Sequence, residues 1–147
     1  MLAALRVART LVMFMMRPGG QTQFSAHLLA QAADGGRLRG LPAWIVDHLG
    51  EDLSVSRLVE RLAMSERTFA RVFHAELGTT PARFVEVARV EAARRLLEES
   101  DLPIKQIAWQ VGFGDDETMR RAFQRSLRVS PAHYQARFRS PLEGAST

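Results

Sequence analysis

The sequence predicts an all-α fold built around a duplicated helical unit, and three observations carry that prediction. From Leu41 onward, apolar residues recur at helical spacing with no strand-like alternation. Glycine, proline and capping residues interrupt the pattern at regular places. The block that begins at Leu53 then recurs from Leu102.

Two glycine-bearing stretches, residues 17–20 and 34–40, punctuate the N-terminal third, and neither suits a helix interior. The segments 2–16 and 24–33 are short and apolar, without a clear polar face. Pro42 opens a first helix that brings Trp44, Ile45, His48 and Leu49 to one side and stops at Gly50. Ser54 caps a second helix, which carries Val55, Leu58, Val59 and Leu62 inward. After a break at Ala63 and Met64, Ser65 starts a third, whose Phe69, Val72, Phe73 and Leu77 form the inner face and which Gly78 ends.

Thr80 and Pro81 start the longest helix, predicted to run to about Ser100 with Phe84, Val87, Ala88, Ala92 and Leu96 as its apolar stripe. Pro103 lies just past its end. Ile104, Ile107, Ala108 and Val111 mark a fifth helix, residues 115–127 a sixth, and residues 131–138 a seventh. Trp44 and Trp109 fall within amphipathic segments, and both are assigned to packing, as is His133 beside Tyr134.

The repeat has an offset of 49 residues, which becomes 50 after one inserted residue in the second turn. Leu53, Val55, Leu58 and Leu62 fall on Leu102, Ile104, Ile107 and Val111. Phe69, Arg71, Phe73, Leu77, Pro81 and Phe84 fall on Met119, Arg121, Phe123, Leu127, Pro131 and Tyr134. Each copy is a short helix, a tight turn and a longer helix, the helix-turn-helix plan, with Gly112 where the second turn needs a permissive backbone. A helical solenoid is the alternative, but solenoids normally need three or more copies.

Composition narrows the function classes. The chain of 147 residues suits one compact domain with a modest appendage. Cations exceed anions by 20 to 16, which favours an anionic partner, although a general arginine bias would give the same modest excess. The absence of cysteine excludes disulfide scaffolds, thiolate metal sites and cysteine nucleophiles. The apolar run 11–16 is too short to span a bilayer, so a cytoplasmic protein without a membrane partner is expected.

The stretch from Ile104 through Phe113 to Phe123, followed by Ser130-Pro131-Ala132-His133-Tyr134, closely resembles the signature of the AraC/XylS family of transcription regulators. Met64-Ser65-Glu66-Arg67-Thr68-Phe69 and Gly78-Thr79-Thr80-Pro81 are similar to that family's first helix-turn-helix. The resemblance covers about residues 41–140 and implies a seven-helix domain. Two helix-turn-helix subdomains, joined by one long linker helix, would place their recognition helices in successive major grooves of DNA. A linker of about 20 residues spans roughly 30 Å, close to the separation of about 34 Å between successive major-groove faces.

Val7-Ala8-Arg9-Thr10-Leu11-Val12-Met13 and Pro18-Gly19-Gly20-Gln21-Thr22-Gln23-Phe24 resemble the end of a class I glutamine-amidotransferase-like, PfpI-type domain. That resemblance implies that residues 1–40 are a remnant of a preceding domain plus a linker, ahead of the DNA-binding domain at 41–140 and a flexible tail at 141–147. It also implies a C-terminal piece of a longer regulator. The piece itself is expected to be monomeric and the longer protein oligomeric, with RNA polymerase as a second partner.

Within the DNA-binding reading, base contacts are expected from the solvent side of the third helix: Glu66, Arg67, Ala70, Arg71 and His74. Arg67 and Arg71, four residues apart, share a face, and an arginine paired bidentately with guanine contributes roughly 1–3 kcal/mol of discrimination. Arg71, matched by Arg121, has a phosphate or structural contact as its alternative role. The equivalent side of the sixth helix offers Asp116, Glu117, Arg120, Arg121 and Gln124.

Its acidic start suggests that the second unit positions the protein while the first reads sequence. Capping is preferred for Asp115, whereas Glu117 is left between a helix-terminal role and acceptance from cytosine N4. Phosphate contacts are expected from Arg83, Arg89, Lys105 and the helix starts at Ser54 and Thr80. Arg94 and Arg95 are expected either to be solvated or to pair with Glu91, Glu98 and Glu99.

Catalysis is not expected. The histidines at 27, 48, 74 and 133 lack ligand spacing, no serine sits in a nucleophile elbow, and no cofactor or metal is implied. The main rival is a helical protein-interaction module that uses Glu98, Glu99 and residues 115–117. Steep salt dependence would mark DNA binding, and its absence an apolar contact. RNA binding is disfavoured because neither an aromatic stacking sheet nor a glycine clamp is visible.

Overall fold

The structure, a computed structural model, describes residues 16–17, 21–22, 25–33 and 36–146, with side chains from Ser25 to Phe138. The PfpI-like segments therefore lie outside the described residues, except for the backbone of Gln21 and Thr22. Two compact units are present, residues 1–88 and 89–147. Apart from one two-residue pair, β1 (Met16–Arg17) antiparallel to β2 (Gln21–Thr22), all the described regular structure is helical.

In the first unit, α1 (Ala26–Ala32) is capped by Ser25, whose Oγ accepts from the Leu28 N–H at 3.3 Å. It packs on α2 (Leu41–Asp47), and together they bury Ala26, Leu29, Leu41 and Ile45. The glycine-rich turn before α2 carries a core residue of its own, Leu38, which is fully buried. Trp44 stacks on His48 at 4.2 Å and bears the Arg61 guanidinium 3.9 Å from its ring centroid, so it sits half-buried at the rim.

The short α3 (Val55–Glu60) precedes α4 (Glu66–Leu77). Ser54 occupies the N-cap of α3 but makes no capping bond with its side chain. Its Oγ meets Ser56 Oγ, and its N–H donates to Asp52 Oδ1 at 3.0 Å. α4 buries Phe69, Val72, Phe73 and Leu77, as its apolar spacing predicts. Phe73 packs edge-on against Phe69 at 5.6 Å and against Phe84 at 5.5 Å. Each such buried side chain contributes roughly 1.5–3 kcal/mol through removal of apolar area from water.

The long α5 (Pro81–Glu99) supplies both units. Phe84, Val85, Val87 and Ala88 are buried in the first, whereas Val90, Ala93 and Leu97 join the core of the second. The expected stripe through Ala92 and Leu96 is corrected accordingly. Those two are only partly buried, because the second half of the helix serves a different core from the first.

In the second unit α6 (Ile104–Gln110), α7 (Asp116–Leu127) and α8 (Pro131–Ser146) close around Ile107, Ala108, Val111, Met119, Ala122, Phe123 and Tyr134. The backbone of α8 continues past residue 138, where the sequence pattern placed its end. The sequence repeat is matched by local geometry. α4 and α7 are both 12 residues long, and both are capped by a side chain that accepts from a threonine N–H three residues on. Phe123 meets Tyr134 at 6.2 Å and 73°, as Phe73 meets Phe84 at 72°.

Candidate nucleic-acid interface

The five residues singled out on α4, Glu66, Arg67, Ala70, Arg71 and His74, are all exposed, opposite the phenylalanine-rich face that anchors the helix. Two devices hold the start of that surface. Ser65 Oγ accepts from the Thr68 N–H at 3.1 Å, and the Ser65 hydroxyl donates to Thr68 Oγ1 at 3.0 Å. At the other end Gly78, at φ 73°, closes the helix in the left-handed region and donates its N–H to the His74 carbonyl. Arg67 and Arg71 make no ion pair among the described residues.

Just beyond this surface the turn ahead of α2 reaches α4. The Arg37 N–H donates to Glu76 Oε1 at 2.8 Å, and a Cβ at position 36 would come within 2.6 Å of the same oxygen. Gly36 therefore lets the Glu76 carboxylate lie against the turn, and a larger residue there would make that side chain shift. Its surroundings in the sequence have no periodicity, so this contact gave no signal there.

On α7, Asp116, Glu117, Arg120, Arg121 and Gln124 are exposed as well. Asp115 is the cap, accepting from the Thr118 N–H at 2.7 Å, and that hydrogen bond holds its carboxyl below the ordinary value. Glu117 instead turns along the helix. Both its oxygens receive Arg120, from Nη2 at 2.7 Å and from Nε at 2.9 Å, and Arg121 Nε reaches Oε1 at 3.2 Å. The Arg120 hydrogen bonds are the main reason that the Glu117 carboxyl is lowered to about 2.

The candidate phosphate ligands divide by what already holds them. Lys105 is exposed at the start of α6, and Ser54 and Thr80 are exposed at helix starts. Thr80 Oγ1 accepts from the Arg83 N–H, so it serves its helix as a cap. Arg83 is half-buried and pairs with Glu86 at 2.7 Å, and Arg89 is half-buried with an interaction of its own. Arg94 donates from Nε to the Tyr134 hydroxyl at 3.1 Å, and that hydroxyl donates in turn to Glu98. Arg94 therefore braces the second core instead of being solvated or paired directly with a glutamate.

Two assignments to packing are corrected. Trp109 is 73% exposed, since it lies one residue past Ile107 and Ala108 on the outer side of the short α6. His133 is exposed, its N–H donating to Ser130 Oγ while its neighbour Tyr134 does the packing. The repeat carried the missing signal for Trp109, because the equivalent position in the first unit is the exposed Glu60. An open cleft lined by Trp44, Glu51, Asp52, Arg57, Glu60 and Arg61 also occurs in the first unit. Its charges are largely paired, with Arg57 3.8 Å from both Asp52 and Glu60. Among the described residues no group of three or more metal-ligating side chains occurs, and no helix is long and apolar enough to cross a membrane.

The fold and its two solvent faces define the class: a protein made of two helix-turn-helix units. A family model described as a helix-turn-helix domain matches residues 58–137, more than half of the chain. The chain belongs to that helix-turn-helix family, as an AraC-type domain.

It is 49% identical over 84 residues to the HTH-type transcriptional regulator Rv1931c of Mycobacterium tuberculosis, a match covering 57% of this chain and 32% of that protein. The HTH-type transcriptional activator RhaS of Citrobacter koseri is 34% identical over 107 residues, covering 73% and 38% respectively. The chain thus spans about a third of the length of these curated relatives. Among solved structures, the DNA-binding domain of the global transcriptional factor AdpA, in complex with a target DNA, superposes with a TM-score of 0.69 at 37% identity. That match covers 73% of this chain and 96% of the other. The C-terminal domain of AraT, a response regulator from Geobacillus stearothermophilus, gives 0.67 at 29% identity, covering 70% and 86%.

Proposed function

We propose that this chain binds double-stranded DNA sequence-specifically and regulates transcription, with α4 and α7 as recognition helices in successive major grooves. The observation that carries the reading is the pair Arg67 and Arg71. These are two exposed guanidiniums, one helical turn apart and without ion-pair partners among the described residues, on a helix capped at both ends and anchored by Phe69 and Phe73. A rigid helix that offers unpaired arginine forks suits the acceptor pair of guanine in the major groove. The same units support the reading from outside the chain, since a similar solved domain is a DNA complex.

Binding rather than catalysis is the proposed activity, in the cytoplasm, with RNA polymerase as the second partner and a PfpI-type sensing domain preceding residue 41. Phosphate contacts fall to Ser54, Thr80, Arg83, Arg89 and Lys105. A second reading is a protein-interaction module that uses the exposed Glu98, Glu99 and residues 115–117. Titration of a selected duplex and a scrambled one at two salt concentrations separates them. DNA reading gives a preferred duplex, affinity that falls steeply with salt, and loss of the preference in Arg71→Ala. Equal binding of wild type and Arg71→Ala to the selected duplex overturns the assignment of Arg71.

A further inference from the structure

The 50-residue offset places Glu117 on Arg67, so the second residue of one recognition helix is a cation and that of the other an anion. The helices are otherwise built alike, in length and in N-terminal cap. On the outward face of α4, Arg67 and Arg71 outnumber Glu66. On that of α7, Arg120 and Arg121 are balanced by Asp116 and Glu117. Glu117 does not stand apart from its arginines. It takes Arg120 on both carboxylate oxygens and Arg121 on one.

Resting on the DNA-binding reading, we propose that Glu117 is a positioning residue that sets the specificity of the second unit through Arg120 and Arg121. Two effects follow from the geometry. Arg121 is held through Nε, which leaves both its terminal nitrogens for a base edge. An arginine already fixed in place loses less side-chain freedom when it binds. Meanwhile the carboxylate repels phosphate, and that penalty falls on every sequence alike and lowers non-specific affinity. The acidic start of α7 thereby marks a surface that discriminates rather than one that only positions the protein. Glu117 acts on DNA through its arginines, a role distinct from both helix capping and direct acceptance from cytosine.

The test compares the full chain with Glu117→Gln and Glu117→Asp on a selected and a scrambled duplex across a fourfold rise in salt. Removing the charge is expected to raise affinity for scrambled DNA and to steepen the salt-dependent loss about 3.5-fold, the effect of about one more neutralised phosphate. Base preference should flatten under the second motif and persist under the first. The shorter Glu117→Asp should keep the wild-type salt dependence yet lose preference at the second motif. Unchanged preference in both variants, or equal flattening at both motifs, overturns the proposal. Wild-type protein that fails to distinguish the two duplexes sinks the DNA-reading assignment itself, which is a separate outcome.

Discussion

Arg71 and Phe73 are two residues apart on α4 and face opposite ways, one exposed and the other with no accessible surface. Their alanine variants therefore separate recognition from stability. Arg71→Ala should leave unfolding free energy within about 0.5 kcal/mol of wild type while removing roughly 1–3 kcal/mol of base discrimination. Phe73→Ala should cost about 3–5 kcal/mol in denaturant unfolding, through the cavity left beside Phe69 and Phe84. Tyr134 gives a second residue-scale test because it is the only tyrosine. Burial, followed by its bond to Glu98, raises its phenol above the usual 10.0. A folded pKa above the unfolded one means that the associated stability is full below about pH 10 and is lost as pH rises through the folded value. Ultraviolet titration should accordingly show tyrosinate forming above pH 10 in the folded protein and near pH 10 in denaturant. Coincident midpoints would contradict the Arg94, Tyr134 and Glu98 arrangement.

At the scale of elements, the two copies resolve the same backbone problems with different residues. The turn after the first short helix holds Ala63 at φ 52°, where the second copy has Gly112 at 97°. The recognition helix ends in Gly78 at 73° in the first copy and in Arg128 at 62° in the second. A residue with a Cβ is strained in that region by about 1 kcal/mol, which glycine relieves at the cost of a freer unfolded chain. Ala63→Gly and Arg128→Gly should each raise stability by up to about 1 kcal/mol, measured as a higher melting temperature, and a fall in both would contradict the matched turns. Most of this architecture was legible because periodic apolar residues and caps specify helices locally, as Phe69 to Leu77 and Ser65 show. Trp109 misled because an aromatic in a seven-residue helix has little periodicity to fix its side, although Glu60 at the equivalent position marked it as outward. Leu38, buried from within a turn that has no pattern, and the contact of Arg37 with Glu76, 39 residues away, were not legible. The ten candidate reading residues were all found exposed because a helix that buries one stripe must present the other. The Glu117 clamp escaped because rotamers, not spacing alone, decide which of several neighbouring charges meet.

For the molecule as a whole, the net charge of +4 is a modest excess of cations. On the DNA-binding proposal, recognition rests on where the charges lie, with arginines on α4 that make no ion pair among the described residues and an ion-paired, balanced set on α7. On the same proposal, two helix-turn-helix units in one chain would supply two half-sites without a second copy, which is the basis for expecting the chain to act as a monomer. Selection of bound duplexes from a random DNA pool, followed by titration of the winner against scrambled DNA at low and high salt, tests this most directly. Two short motifs about one helical turn apart, bound with affinity that falls as salt rises, are the expected result. Enrichment of a single motif, or weak salt-insensitive binding to every duplex, would contradict a two-headed DNA reader.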